Sequence, residues 1–400
     1  MFKLIKNEIK KILLSKKYII AIGIFLILYS GMTFLSYNNA MNSKPAERIK
    51  SNEKYIKNLN EEKNDKDITD KKKAEIDNKI KEIENINKNL QFQIENSNLK
   101  WQDRLKKNNE VIEQKIKDNK DGDEAIIQYK QEIEVNNYSL KNNIEPTPNN
   151  KVTAFSLMPK VNIFTGMLII TIIIAIISSD LIAGEFTPAT IKLLLTKPVS
   201  RQKVLFSKFI AAICVCTVSF LLVKLIVFLI IGIGFGFGDY REPMGVYTAY
   251  INDKNLVAKL GFGVKPDTNS FKIYSVLQAM LLSEGINILF IIACTAVCLL
   301  ISTLTKKSSS SISITVIFFV ILSIFGGSQL ANGQNGVIKK ILSVLFTTYS
   351  SGELVISGET NKMLGFAYAN NYFAIGILIV WIIVCYGIAN MVFTKRDILS

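Results

Sequence analysis

Lys224 and Glu284 are ionisable residues standing inside long apolar runs. An unpaired charge at the centre of a membrane helix costs about 2.5–3.5 kcal/mol. Lys224 lies eight to nine residues before one end of its run, and Glu284 about nine after the start of the next. At the rise of an α-helix both fall roughly 12–14 Å below the same membrane face. Opposite charges at equal depth on consecutive antiparallel helices suggest an ion pair, serving as a substrate or ion contact or as a structural pair, with Lys224 simply snorkelling as the further alternative. Bond-making chemistry has little else to use. No histidine occurs in the 400 residues, which removes Ser-His-Asp and Cys-His nucleophilic systems and the H-E-x-x-H zinc helix. Cys214, Cys216, Cys294, Cys298 and Cys385 all sit inside apolar runs. Cys294 and Cys298 share a helix face, but two thiols with no nearby His or carboxylate are expected to pack, not to bind metal. No catalytic residue, metal or cofactor is expected.

The elements that must position these charges are membrane helices. Hydrophobic residues make up 49% of a chain that also carries a net charge of +15, and the excess cations flank the apolar runs. That pattern points to a membrane surface and away from nucleic acid. Six runs reach the ~20 residues a helix needs to cross a bilayer: residues 18–37, 163–183, 209–233, 275–302, 312–331 and 372–393. The first is read as a retained anchor, since its apolar core is too long for a secretory signal and Tyr37-Asn38-Asn39-Ala40 is no cleavage site. With the N-terminus inside, the short inner segments carry fifteen cations and the two short outer loops eight. Both termini are therefore expected in the cytoplasm. The Ile, Lys and Asn abundance fits an AT-rich bacterial genome, so the expected location is a bacterial plasma membrane. The expected fold is an all-α integral membrane protein with six transmembrane helices, an N-terminal interfacial helix and a large extracellular helical insert.

Residues 1–17 place Ile5, Ile9, Ile12 and Leu13 on one face with lysines around the other. This suits a short helix lying in the inner interface, or alternatively a basic flank that only fixes topology. Residues 38–160 form the insert, with 24 Lys/Arg against 22 Asp/Glu. Ile76, Ile80, Ile83, Asn87, Leu90 and Ile94 step in fours and threes as a heptad seam, and Trp101, Leu105, Asn108 and Ile112 continue it after a break near Asn96 to Asn98. A turn at Asp121-Gly122-Asp123 leads to a helix marked by Ile126, Tyr129, Ile133 and Leu140, and Pro146 and Pro148 close the unit. Antiparallel helical hairpins, a coiled coil with arms of roughly 40 Å, are expected. The thin apolar stripe leaves partial disorder in isolation as the alternative.

Between the second and third runs lies a polar, basic stretch, residues 184–208. Glu185 stands near its start. Thr187-Pro188 can open a helix, on which Ile191, Leu194 and Leu195 make an apolar face with Lys192 beside it. Pro198 stops that helix, and Arg201, Lys203 and Lys208 hold the return to the membrane. In this place among six spans, Glu185, the Thr187–Leu195 stretch, Pro198-Val199-Ser200-Arg201 and Lys208 resemble the coupling helix region of permeases of ABC-2 type ABC transporters. The likeness in topology covers the whole chain except residues 38–160.

The resemblance implies a permease subunit of an ATP-driven exporter, with Glu185, Thr187, Leu194, Leu195, Pro198, Arg201 and Lys208 docking on a separate ATPase. It further implies two ATPase copies and a second permease chain, identical or related, within the lipid bilayer. Peptides, lipid-like molecules, drugs and ions are the candidate substrates. The chain has no Gly-Lys dipeptide and so no phosphate-binding loop, so the chain is not expected to be an enzyme itself. The Gly232, Gly234, Gly236, Gly238 series has the wrong spacing for a nucleotide loop. Ser350-Ser351-Gly352-Glu353, faintly like an ATPase signature, falls in the outer loop 332–371. The alternative reading is a membrane-anchored coiled-coil tether or sensor. Glu185 also has a local alternative, as a helix cap or a partner for Arg201.

Overall fold

Among the described residues of this computed structural model, six helices are long and apolar enough to cross a bilayer: Lys16–Met41, Leu168–Phe186, Arg201–Phe235, Val276–Leu304, Ser308–Asn332 and Asn371–Lys395. The protein is an all-α integral membrane protein. The structure describes residues 1–41, 45–64, 70–118, 123–148, 151–186 and 199–395. The first helices are α1 (Phe2–Leu13), α2 (Lys16–Met41), α3 (Pro45–Lys63), α4 (Asp70–Glu95), α5 (Trp101–Asp118) and α6 (Asp123–Asn142). There follow α7 (Ala154–Thr165), a π-helical turn (Gly166–Ile170), α8 (Thr171–Ser178), α9 (Ala183–Phe186) and α10 (Arg201–Phe235). The rest are α11 (Lys254–Leu260), α12 (Val276–Leu304), α13 (Ser308–Asn332), α14 (Gly336–Ser343), α15 (Gly352–Ile356), α16 (Glu359–Leu364) and α17 (Asn371–Lys395).

The chain forms two units, Met1–Thr33 with Met158–Ile231 and Met244–Ser400, and Phe34–Leu157 with Gly232–Pro243. In the first, α12 is the central helix and packs on α17, α8, α13 and α15. Its buried face carries Ala279, Ser283, Ala293, Cys294, Ala296 and Cys298, small residues that let helix backbones approach closely where lipid supplies no hydrophobic driving force. Ser275 opens it with a capping box, accepting from the Gln278 N–H while the Gln278 side chain accepts from the Ser275 N–H. The apolar stretch of α2 is only 22% buried against 67% for that of α12, so most of the apolar surface of α2 is left uncovered by the rest of the chain.

Two features go beyond the reading of the sequence. Residues 243–275 hold two antiparallel ribbons of short strands, Pro243–Tyr247 with Phe271–Ser275 and Tyr250–Asn252 with Val264–Pro266. Strands of three to five residues are too short to leave an alternation that stands out. The segment after α13, expected as an outer loop, holds α14, a 3₁₀ turn, α15 and α16, packed on the helix bundle. Phe346, Tyr349, Val355 and Leu364 are buried there. Two glycines permit this. A Cβ at Gly352 would run into the Ser283 carbonyl of α12, and one at Gly166 into the Ser350 carbonyl.

In the second unit α3 packs on α4 and α5 on α6. Asn52 bonds Asn87 and Lys63 pairs with Asp77, so one number rises as the other falls and the pair is antiparallel. Gln102 with Asn143 and Asn109 with Asn137 give α5 and α6 the same sense. Helix α4 ends at Glu95 and α5 begins at Trp101, and Ile76, Leu90, Leu105 and Ile112 point inward. Ile94 is exposed, and the amide of Asn96 is buried in its stead. The tip of the expected turn, Asp121-Gly122, lies outside the described residues.

Candidate functional site

Two buried ion-pair centres are built on α10, one on Lys208 and one on Lys224. The first is built on Lys208. Arg201 to Lys208 form the opening two turns of α10, and Lys208 points inward from the second with 2% of its side chain exposed. Its Nζ donates to Glu185 Oε1 at 2.6 Å and to Glu8 Oε2 at 2.8 Å. Lys11 also pairs with Glu185, whose side chain is 5% exposed. An ammonium enclosed by two carboxylates, one of them held by a second cation, offsets much of the cost of taking the charges out of water.

Nearby polar side chains hold the turn that joins α8 to α9. Lys17 pairs with Asp180 and donates to the Ile177 carbonyl at 3.3 Å. Ser308 Oγ donates to Asp180 Oδ2 at 2.9 Å, and Ser302 Oγ accepts from the N–H groups of Ile182 and Ala183 at 2.9 and 3.0 Å. The backbone between α8 and α9 leaves the helical ladder, so its freed groups take side-chain partners. Across α10, Arg201 Nη1 donates to the Thr394 carbonyl at 3.2 Å, which ties the helix start to the end of α17. Thr187, Leu194, Leu195 and Pro198 lie outside the described residues, as do Lys192 and Lys197.

The second centre joins Lys224 and Glu284. Lys224 Nζ lies 3.0 and 2.9 Å from the two carboxylate oxygens of Glu284, and its side chain is 10% exposed. Asn287, one turn along α12, donates to Glu284 Oε2 at 3.3 Å and accepts from the Gly352 N–H at 2.7 Å. The next residue, Glu353, is also buried. Asn162 Nδ2 donates to Glu353 Oε1 at 2.8 Å, Ser351 Oγ to Oε2 at 3.3 Å, and Tyr29 donates to Asn162 Oδ1 at 2.7 Å. Five elements, α2, α7, α10, α12 and α15, thus meet in one polar network inside the bundle. Asn162 and Asn287 were not singled out in the sequence, and Glu353 was noted only as part of the Ser350–Glu353 stretch. The signal was there in Gly166 and Gly352, whose missing side chains make room for this segment.

Neither centre presents a nucleophile beside a base, and among the described residues no group of His, Cys, Asp and Glu is arranged to hold a metal ion. What both centres do is hold charges in apolar surroundings and tie helices together.

Comparison with known proteins agrees with a transport component. The chain is 26% identical over 276 residues to the "Uncharacterized protein YhcI" of Bacillus subtilis (strain 168), covering 68% of this chain and 76% of that one. It is 29% identical over 258 residues to the "Uncharacterized membrane protein YdbK" of the same organism, covering 63% of this chain and 85% of the relative. The model of the family described as "ABC-2 family transporter protein" matches residues 2–398. Given that match along nearly its whole length, the chain belongs to the ABC-2 family of transporter proteins, as a multi-pass membrane component.

Proposed function

We propose that the chain is the permease subunit of an ATP-driven exporter, worked by a separate ABC ATPase that docks on the segment between Glu185 and Arg201. The observation that carries this reading is the enclosure of Lys208 by Glu185 and Glu8. Glu185 is the root of the segment on one side, Lys208 sits two turns into the helix on the other, and Glu8 brings in α1. A docking segment transmits displacement only if its roots are stiff, and a buried ion triad is a stiff joint because any opening exposes unpaired charge. Movement imposed on the segment would pass at once to α1 and α10.

In this reading both termini and the docking segment face the cytoplasm and residues 38–160 face outward. Two permease chains pool their spans above two ATPase copies, and substrate leaves between them or from the lipid. Co-purification of the full chain with a candidate P-loop ATPase tests this. Retention of the ATPase together with substrate-stimulated hydrolysis is expected. Replacing Glu185 and Arg201 together by Ala should lower both, and unchanged association and stimulation would defeat the docking assignment. A chain that retains no ATPase would behave as the tether instead.

A further inference from the structure

An open cleft of about 270 Å³ lies where α10 begins and α17 ends, lined by Met1, Gln202, Lys203, Phe206, Tyr386 and Asn390. Its wall is aromatic. The Tyr386 ring stacks on Phe209 at 5.0 Å and meets Phe206 edge-on at 6.3 Å, and Phe206 keeps 39% of its surface exposed. Its rim is cationic. Lys203 is exposed, and among the described residues no carboxylate lies within ion-pair distance of its ammonium. The N-terminus of the 35-residue helix α10 adds partial positive charge at the same place. Asn390 contributes an amide whose buried Oδ1 accepts no hydrogen bond among the described residues, an unusual state for a polar atom in an apolar helix.

We propose that this cleft binds an anionic glycerophospholipid of the surrounding bilayer. The phosphate would sit against Lys203 and the first turn of α10, the headgroup against Asn390, and an acyl chain along Phe206 and Tyr386 toward the lipid-facing surface of the spans. A basic recess between membrane helices, opening onto apolar surface, is matched by a molecule with an anionic head and an apolar tail. A free phosphate ester has no use for the aromatic wall, so the lipid is the committed occupant. The inference rests on the chain's residence in a bilayer and not on the exporter reading, so the two fail separately.

The test measures lipid retained by the full chain after extraction from bilayers holding equal amounts of phosphatidylglycerol and phosphatidylcholine. Native mass spectrometry counts the bound lipids. Phosphatidylglycerol should be preferred about fivefold or more, the ratio expected for one basic residue at an anionic surface. Lys203→Gln should remove most of that preference, while Lys203→Arg and Lys307→Gln, a lysine that does not line the cleft, keep it. Thermal unfolding of each variant separates lost binding from lost fold. Equal retention of the two lipids by the wild type would overturn the proposal, as would an unchanged preference in folded Lys203→Gln. Displacement of phosphatidylglycerol by soluble glycerol phosphate would also overturn it, by showing a free-phosphate site.

Discussion

Replacing Lys208 by Met removes the common member of the ion triad while keeping an unbranched apolar stem of similar length. In the intact protein Lys208 faces carboxylates at 2.6 and 2.8 Å. At an effective dielectric of about 20 each contact is worth roughly 6 kcal/mol of gross attraction, against a desolvation penalty of several kcal/mol per ion. What the experiment reads is the balance, and losing one partner of a buried pair typically costs about 3–5 kcal/mol. The three members should not be equivalent. Lys208 serves two acids, whereas Glu185 keeps Lys11 when Lys208 is lost, and Glu8, 16% exposed, can relax toward solvent.

Lys208→Met should therefore destabilise most, Glu185→Gln less, and Glu8→Gln least, by about 1 kcal/mol as for a partly exposed pair. The assay is thermal unfolding of the full chain in lipid nanodiscs, run as a double-mutant cycle over Lys208 and Glu185. The double variant should be less damaged than the sum of the two singles, because each single leaves a buried charge behind. Additive losses, or a Lys208→Met variant no worse than Glu8→Gln, would refute the idea that the triad acts as one joint.

At the other centre, Lys224→Met alone should cost about 3–5 kcal/mol, and adding Glu284→Gln should recover most of it, since a buried pair replaced whole is often near neutral; unfolding midpoints of the three proteins check this. Gly352→Ala places a methyl against the Ser283 carbonyl and should cost at least about 1–3 kcal/mol of overpacking. Gly376→Ala meets nothing within 4 Å and should be neutral or slightly stabilising in the same measurement. Lys339 is buried, donating to the Met363 carbonyl at 2.6 Å with its ammonium 4.8 Å from the Phe262 ring centre, and burial pushes its pKa below the ordinary lysine value. Between the folded pKa and the unfolded value of about 10.4 the unfolded chain binds more protons, so stability should rise with pH through that window. The Lys339→Met variant should lack that rise, as midpoints taken from pH 7 to 10.5 will show.

The spans and their order were legible because each apolar run stands out by length alone. The facing positions of Lys224 and Glu284 were legible too, because depth along a helix is arithmetic. The partners of Glu185 were not. Arg201 was the nearer cation in the pattern, but Lys208 lies two turns into α10 and Lys11 comes from a helix 174 residues away in sequence. Separations of that size leave no local trace. The fold of residues 333–370 was hidden for another reason. Its helices are five to eight residues long, too short for a periodicity that stands out, and they pack closely through Gly352 of their own and Gly166 of the distant π-helical turn.

Helix α10 runs without a break from Arg201 to Phe235 and carries both centres. Lys208 and Lys224 are about 24 Å apart along its axis and roughly 160° apart around it. The helix is thus a rod fastened at two heights on nearly opposite sides. Rolling it about its axis would pull on both fastenings together, whereas tilting it about one converts a small push near Lys208 into a sideways swing beyond Lys224. By this geometry, tilt about the Lys224–Glu284 pair strains fewer of the fastenings than roll does.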